Sequence, residues 1–219
     1  MPPFYLFGPS GILEPLDTLE KIFGSSARVK ILRLFLLNPL EVYDASVVSE
    51  KSKVNLAGAR RELNLLKKAG ILAEKSFFKE TPAKKKGKTP TKKRTQGVTL
   101  KQGFPLLVPL KNLLISETPL NRDEIAKRFR TAGKIKLLII SGIFLDEPDS
   151  RLDVLIVGDG LKKRAIESAL KSIEAEVGKE LSYAALETIE FLYRVSVYDK
   201  FVRDVLDFRH ERVIDKLGI

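Results

Sequence analysis

The spacing of apolar residues predicts three helices in the first third of the chain. Segment 26–37 repeats apolar residues at helical intervals, and its predicted buried face comprises Val29, Leu32, Phe35 and Leu36. A short helix follows, with Asp44 as its predicted N-cap. A longer helix comes next and ends at Gly70. Its predicted inward face comprises Leu56, Ala59, Leu63 and Leu66, which leaves a polar outer face.

Two strands are predicted next, over residues 71–78 and 98–104, and a Lys-rich segment joins them. This segment, residues 82–97, carries seven Lys or Arg side chains and no acid. Three helices followed by a hairpin is the element order of a winged helix-turn-helix, in which the third helix enters the major groove. The Lys-rich segment would then form the wing, as one long loop that contacts the DNA backbone.

The second half of the chain follows a different pattern. An apolar helix is predicted from Pro105, with a kink at Pro109, and a polar helix follows over 121–133. From Lys134 onward, predicted strands alternate with helices, which is typical of a sheet covered by helices. The predicted fold class is therefore α+β. It comprises a winged helix-turn-helix domain over 17–104, a helical linker over 105–133 and a small α/β domain over 134–219.

Composition narrows the chemistry that the chain can carry. With no cysteine and one histidine, His210, it has no disulfide or cysteine nucleophile, and a metal site would be built mainly from carboxylates. The net charge is +11, and residues 82–97 contribute +7 of it, which favours a local contact with a polyanion. The N-terminus does not resemble a signal peptide, and no apolar run approaches the ~20 residues of a membrane helix. We therefore expect a cytoplasmic protein without membrane contact.

Two stretches of the first half, "KIFGSSARVKILRLFLLNP" and "LAGARRELNLLKKAGIL", resemble winged-helix transcriptional regulators. The resemblance is greatest to regulators in which the winged helix precedes a nucleotidyltransferase-like domain. "LLIISGIFLDEPDSRLDVLIVGD" lies where that domain has a strand, a Gly-Ser turn and a second strand bearing Asp-x-Asp. "GKELSYAALETIEF" resembles its third strand and the following helix. The resemblance spans residues 20–208 and implies the same two-domain fold.

The residues that carry catalysis in active members of that fold are mostly replaced in this sequence. Gly142 and Asp153 match the turn glycine and the second acid, but Arg151 stands at the first acid, Ile143 at the serine and Ser182 at the third acid. One carboxylate beside a guanidinium holds Mg²⁺ weakly. The resemblance therefore implies a remnant of a site, with no catalytic residue, no metal and no cofactor. Asp153 is expected to pair with Arg151 or to cap a turn.

Two features close to this site leave open a metal ligand set or a phosphate-binding loop. One alternative takes the spacer acids Asp146, Glu147 and Asp149 as replacement ligands, and the simpler interpretation is a solvated acidic turn. The "GDG" turn at 158–160 resembles a phosphate loop after a strand.

The predicted function is that of a DNA-binding transcriptional regulator, with duplex DNA as its partner and with no enzymatic activity. The predicted DNA-binding residues are Arg60, Arg61, Asn64 and Lys67 on the third helix, and Lys84, Lys85, Lys86, Lys88, Lys92, Lys93 and Arg94 in the wing. The C-terminal domain is expected to serve dimerisation, sensing or partner binding, and a homodimer is expected. The alternatives are an active nucleotidyltransferase that the winged helix targets to nucleic acid, and an RNA-binding protein.

Overall fold

The computed structural model describes residues 15–81, 91–115, 120–147 and 149–218. Over these ranges the protein is a mixed α+β structure with one two-stranded and one four-stranded sheet. The first half contains four helices and a hairpin: α1 (Pro15–Phe23), α2 (Ser26–Leu37), α3 (Ala45–Ser52), α4 (Leu56–Lys68), β1 (Leu72–Thr81) and β2 (Thr91–Leu100). The three predicted helices of this region are confirmed as α2, α3 and α4.

The second half builds the larger sheet and the helices on its two faces. Its elements are α5 (Leu107–Ile115), α6 (Arg122–Arg128), β3 (Lys134–Ile140), β4 (Val154–Asp159), α7 (Lys163–Val177), β5 (Tyr183–Glu187), α8 (Thr188–Ser196), α9 (Lys200–Asp207) and β6 (Glu211–Asp215). The strand order is β5-β4-β3-β6, in which only β4 and β5 run parallel. One sheet face packs against α6 and α7, and the other packs against α8 and α9.

Strand β4 is apolar over most of its length because both of its faces are covered. Val154 and Ile156 point to the side of α6 and α7, whereas Leu155 and Val157 point to the side of α8 and α9. A strand that is buried on both faces has a continuous apolar sequence, and β4 has the sequence "VLIV".

The two halves pack directly against each other through α2 and α7. Residues on all sides of α2 are buried, including Arg33, whose side chain donates from Nε to the Leu114 carbonyl at 2.8 Å and from Nη1 to the Glu176 carbonyl at 3.3 Å. Burial lowers the pKa of Arg33, and the nearby Glu176 opposes that effect. Asn38 donates to the Gly178 carbonyl at 2.8 Å, and Lys30 forms an ion pair with Glu176 at 2.9 Å.

Several sequence predictions are wrong in detail. Leu56, placed on the inward face of α4, is 39% exposed because it lies in the first turn, beyond the core. Pro109 does not have to kink α5. The helix begins at Leu107, so Pro109 lies in the first turn, where its missing N–H would have no partner within the helix. The charged tail near His210 contains a strand, β6, which pairs with β3.

The hairpin strands also differ from the prediction. The second strand covers Thr91–Leu100 rather than 98–104, and β1 extends to Thr81. Lys92, Lys93 and Arg94 therefore lie on β2 and not in a loop. Backbone pairing of antiparallel strands does not require apolar side chains, so the hairpin continues into the Lys-rich segment.

Candidate nucleic-acid interface and the surroundings of Asp153

Helices α3 and α4 are joined by a tight, hydrogen-bonded turn. Lys53 ends α3 in the left-handed conformation, with φ of 51°, and its N–H donates to carbonyls of the last helical turn. Ser49 Oγ donates to the Val54 carbonyl at 2.7 Å. Asn55 then caps α4 by accepting from the Gly58 N–H at 2.7 Å. These bonds fix the direction in which α4 leaves the turn.

The inner face of α4 anchors the helix in the core of the first half. Ala59, Leu63 and Leu66 are buried there. Glu62 is buried as well, and its carboxylate accepts from Arg28 Nε on α2 at 2.8 Å. The sequence pattern did not reveal Glu62 as an inward residue, because its partner lies 34 positions away.

The outer face of α4 carries two rows of residues at helical spacing. One row is Arg60, Asn64 and Lys67, and the other is Arg61, Leu65 and Lys68. Arg60, Arg61 and Asn64 are exposed, as predicted for a solvent-facing surface. Leu65 is 41% exposed among these polar residues, and sequence analysis did not single it out.

A single-residue bridge ties the hairpin to the segment between α2 and α3. Tyr43 and Val98 exchange backbone hydrogen bonds in an isolated antiparallel bridge, at 3.0 and 2.9 Å. Gly97 is required at this crossing, since a Cβ there would lie 2.8 Å from Phe77 Cε1 and 2.9 Å from the Tyr43 carbonyl oxygen.

A groove of about 340 Å³ separates α4 from the hairpin, and its lining includes Arg60, Asn64, Lys67, Glu74 and Gln96. Lys67 Nζ lies 2.8 Å from Glu74 Oε1, and the hydrogen bond from Lys67 lowers the pKa of Glu74. Of the predicted DNA-contacting residues on α4, Lys67 is therefore already engaged within the protein.

The basic residues of the hairpin are only partly within the described ranges. Lys92, Lys93 and Arg94 are exposed, and strand alternation places Lys92 and Arg94 on one face and Lys93 on the other. Arg94 Nη2 lies 3.4 Å from Ser76 Oγ across the hairpin. The remaining predicted wing residues, Lys84, Lys85, Lys86 and Lys88, lie outside the described residues.

An ion pair links the hairpin to the start of α3. Lys79 Nζ on β1 lies 2.6 Å from Asp44 Oδ2, and Asp44 Oδ1 accepts from the backbone N–H groups of Ser46 and Val47 at 2.9 and 3.0 Å. Burial alone would raise the pKa of Asp44. The bonds from Lys79, Ser46 and Val47 outweigh it and lower that pKa to about 2.

In the second half, Gly142, Asp153 and Ser182, which the sequence analysis compared with a catalytic site, meet at one end of the sheet. Asp153 Oδ1 accepts from the Ile143 N–H at 2.9 Å, and Oδ2 accepts from the Ser182 N–H and Oγ at 2.8 and 2.7 Å. Gly142 has φ of 55°, and a Cβ there would lie 2.2 Å from Asp153 Oδ1. The carboxylate thus ties the ends of three chain segments together.

The expected pair between Asp153 and Arg151 is not formed. Arg151 binds Asp204 on α9 instead, with Nη2 2.6 Å from Oδ2. The side chain turns to α9 because Asp204 is largely buried and would otherwise lack a counter-charge. The alternative expectation, that Asp153 caps a turn, agrees with its bond to the Ile143 N–H.

Two other candidate features of this half make contacts within the protein. Glu147 faces Arg209 at 3.5 Å. In the "GDG" turn the Gly160 N–H donates to the Glu187 carboxylate at 3.2 Å, and the N–H of the next residue, Leu161, does so at 3.1 Å, so an acid occupies the place where a phosphate would bind. Among the residues with described positions, no three acidic or histidine side chains are grouped so as to hold a metal ion.

A cleft of about 880 Å³ between the two halves opens onto Asp153 and Ser182. Its polar lining combines cations and acids, including Lys111, Lys179, Arg209, Glu147 and Asp153. The mixed charge gives it no single preference for an anionic ligand.

Comparison of the chain with protein-family models, with curated protein sequences and with solved structures gave no match. In the described part of the chain, no helix combines the length and apolar character needed to cross a membrane.

Proposed function

We propose that the protein is a DNA-binding transcriptional regulator whose first half is a winged helix-turn-helix domain. The observation that carries this proposal is the outer face of α4, where Arg60, Arg61 and Asn64 are exposed beside a hairpin that bears Lys92, Lys93 and Arg94. The turn between α3 and α4 and the strand bridge at Tyr43 support the same assignment.

The dimensions and chemistry of α4 suit the major groove. An α-helix with its side chains is about 10–12 Å across, and the major groove is about 12 Å wide. Arg donates a bidentate pair of hydrogen bonds to guanine, and Asn pairs with adenine in the same way. The exposed Leu65 adds an apolar contact suited to a thymine methyl group. The α4 surface therefore offers readout of several bases.

The hairpin supplies the part of the interaction that does not depend on sequence. Its exposed cations would neutralise phosphates next to the groove that α4 occupies, and phosphate contacts position a protein without reading bases. Lys67, held by Glu74, is better suited to shaping the α4–hairpin groove than to a phosphate contact.

The second half, in this proposal, is a nucleotidyltransferase-like domain without catalytic activity. The proposal rests on the state of Asp153, whose two oxygens accept three hydrogen bonds from Ile143 and Ser182. A carboxylate engaged in this way has few lone pairs left for a cation. The replacement of a second acid by Arg151 removes the paired ligands that Mg²⁺ requires.

The test begins with selection of a preferred duplex from a random pool, followed by fluorescence anisotropy on that duplex and on a scrambled one. Loss of a bidentate Arg–guanine contact is worth ~1–3 kcal/mol, or roughly 5- to 150-fold in affinity. Arg60→Ala and Arg61→Ala should lose this on the selected duplex and only a few-fold on the scrambled one. Arg164→Ala, an exposed arginine at the start of α7, is the charge-matched control and should bind normally.

Three outcomes would contradict the proposal. Equal losses on both duplexes would mean that the arginines touch only phosphate. Unchanged binding of both variants would remove α4 from the interface. Preferential binding of structured RNA, in competition with the selected duplex, would favour the RNA-binding alternative.

A further inference from the structure

Helix α8 carries an apolar stripe on the side that faces solvent. Its inner face is held in the core by Phe191, which is fully buried. On the outer face, Ile189 is 84% exposed, Leu192 45% and Tyr193 65%. These three residues share one side of the helix at spacings of three and four. An outward face of an amphipathic helix is normally polar, so the stripe calls for a partner.

The end of α8 extends this surface. Val197 is 52% exposed and Tyr198 is 81% exposed. Tyr198 adopts the left-handed conformation with φ of 53°, and the next residue, Asp199, donates its N–H to the Arg194 carbonyl at 2.9 Å. Helices usually end in this way with glycine, because a bulky side chain is disfavoured there. Tyr198 adopts this conformation with its side chain 81% exposed, so its ring extends the apolar surface of α8.

The size of the surface is that of a protein–protein contact. Taking roughly 150–250 Å² for each full side chain, the five exposed fractions total roughly 600 Å². The largest apolar patch on a monomer is ~300–600 Å², and a stable interface buries ~800 Å² on each partner. The apolar stripe therefore lies at the upper end of what a monomer exposes and covers about three quarters of the area of one partner in a stable interface, so the flanking polar residues would have to supply the rest.

The two charged residues that flank the stripe would face residues of opposite charge if two copies packed about a two-fold axis. Glu190 and Arg194 lie one turn apart and form an ion pair at 2.7 Å. If two α8 helices pack antiparallel about an axis near Leu192, the Glu190 of one copy lies opposite the Arg194 of the other. The same surface then supplies both halves of the contact, which is the property of an isologous interface.

From these observations we propose that the outer face of α8, comprising Ile189, Leu192, Tyr193, Val197 and Tyr198, is the interface of a homodimer with antiparallel α8 helices. This assembly does not depend on DNA binding and is tested without DNA.

The test is sedimentation velocity on the full chain and on two charge variants, Glu190→Arg and Arg194→Glu. The first makes both flanking residues of α8 positive, and the second makes both negative. Each variant alone should be monomeric at concentrations where the wild type is dimeric, because like charges meet across the axis. An equimolar mixture should recover a dimer, since opposite charges then face each other. A mixture that stays monomeric refutes the face-to-face arrangement.

Leu192→Glu provides a second perturbation and should abolish the dimer. Its matched control is Leu40→Glu, because Leu40 is 80% exposed in the first half, away from α8. That control should remain dimeric, and thermal unfolding should show that all variants fold like the wild type. A wild type that is monomeric up to about 100 µM, or a dimer that survives Leu192→Glu, overturns the proposal.

Discussion

Gly178 offers the sharpest test of how closely the two halves of the chain pack. It ends α7 with φ of 91°, and its carbonyl accepts from Asn38 after α2. A Cβ at this position would lie 2.6 Å from the Arg33 carbonyl carbon and 2.7 Å from the Leu34 nitrogen. Both of these atoms belong to the backbone of α2, so neither can rotate away. Gly178→Ala therefore has to push α7 away from α2.

Two separate effects set the expected magnitude. Placing a residue with a Cβ in the left-handed conformation costs roughly 1–2 kcal/mol. Overpacking a tightly filled contact adds typically 1–3 kcal/mol. The free energy of unfolding should therefore fall by about 2–5 kcal/mol, a large part of the ~5–15 kcal/mol that stabilises a typical domain.

Gly160→Ala separates the two effects. Gly160 also has positive φ, 61°, but no heavy atom lies within 4 Å of where its Cβ would be. This variant should lose only the conformational part, roughly 1–2 kcal/mol. The assay is urea unfolding at 25 °C with the free energy and the m-value fitted for each protein. Equal destabilisation of the two variants would refute the close packing of α2 on α7.

Two further predictions concern the hairpin. Asp44→Asn keeps the helix cap but loses the negative charge that holds Lys79. The pKa of Asp44 is lowered to about 2 in the folded protein, so its ionised form stabilises the fold. Above pH 5 the wild type should therefore exceed the variant in unfolding free energy by about 1–2 kcal/mol. The difference should vanish as pH falls from about 4 to 2 in urea titrations, and a constant difference over that range would contradict the ion pair. Replacing Lys92, Lys93 and Arg94 by Gln should reduce the slope of log affinity against log salt by about 2–3 units, on selected and scrambled duplexes alike. Coincident slopes would exclude a wing that contacts DNA.

Helices and strands could be predicted from the sequence where the regularly spaced apolar residues are the ones that are buried. Helix α4 shows this, since Ala59, Leu63 and Leu66 recur at helical spacing and are all buried. Strand β4 shows it as well, because its apolar run is short and covered on both faces. In both cases the information lies within one short stretch of chain.

Burial that depends on a distant segment could not be predicted in this way. The second face of α2 is buried because α7 packs on it, and Arg33 finds its acceptors 81 and 143 positions further along the chain. Strand β6 is an edge strand, and its residues Glu211 to Asp215 alternate only weakly between polar and apolar. It forms a strand because it pairs with β3, and its own sequence gives no sign of that partner.

The exposed stripe on α8 shows the opposite failure. Aromatic residues in the C-terminal helical region are predicted to be mostly core, with some at a dimer interface, and Phe191 is in the core. Ile189 and Tyr193 are exposed, although both carry large apolar groups as Phe191 does. The angle of α8 on the sheet decides which residues of the helix are buried.

The surroundings of Asp153 show both a successful prediction and a missed one. Residue identities at 143, 151 and 182 predict that paired carboxylates are missing, but they do not predict what replaces them. Ser182 donates twice to Asp153, the Ile143 N–H donates once, and Arg151 pairs with Asp204. In a centre with two or three acids, the carboxylates would repel one another unless a cation lay between them. Here hydrogen-bond donors surround one carboxylate and a guanidinium neutralises another, so this end of the sheet is stable without a cation. Replacing Arg151 alone by an acid would remove the ion pair with Asp204 but would leave the three hydrogen bonds to Asp153 in place. The proposed loss of catalysis therefore depends on several positions at once.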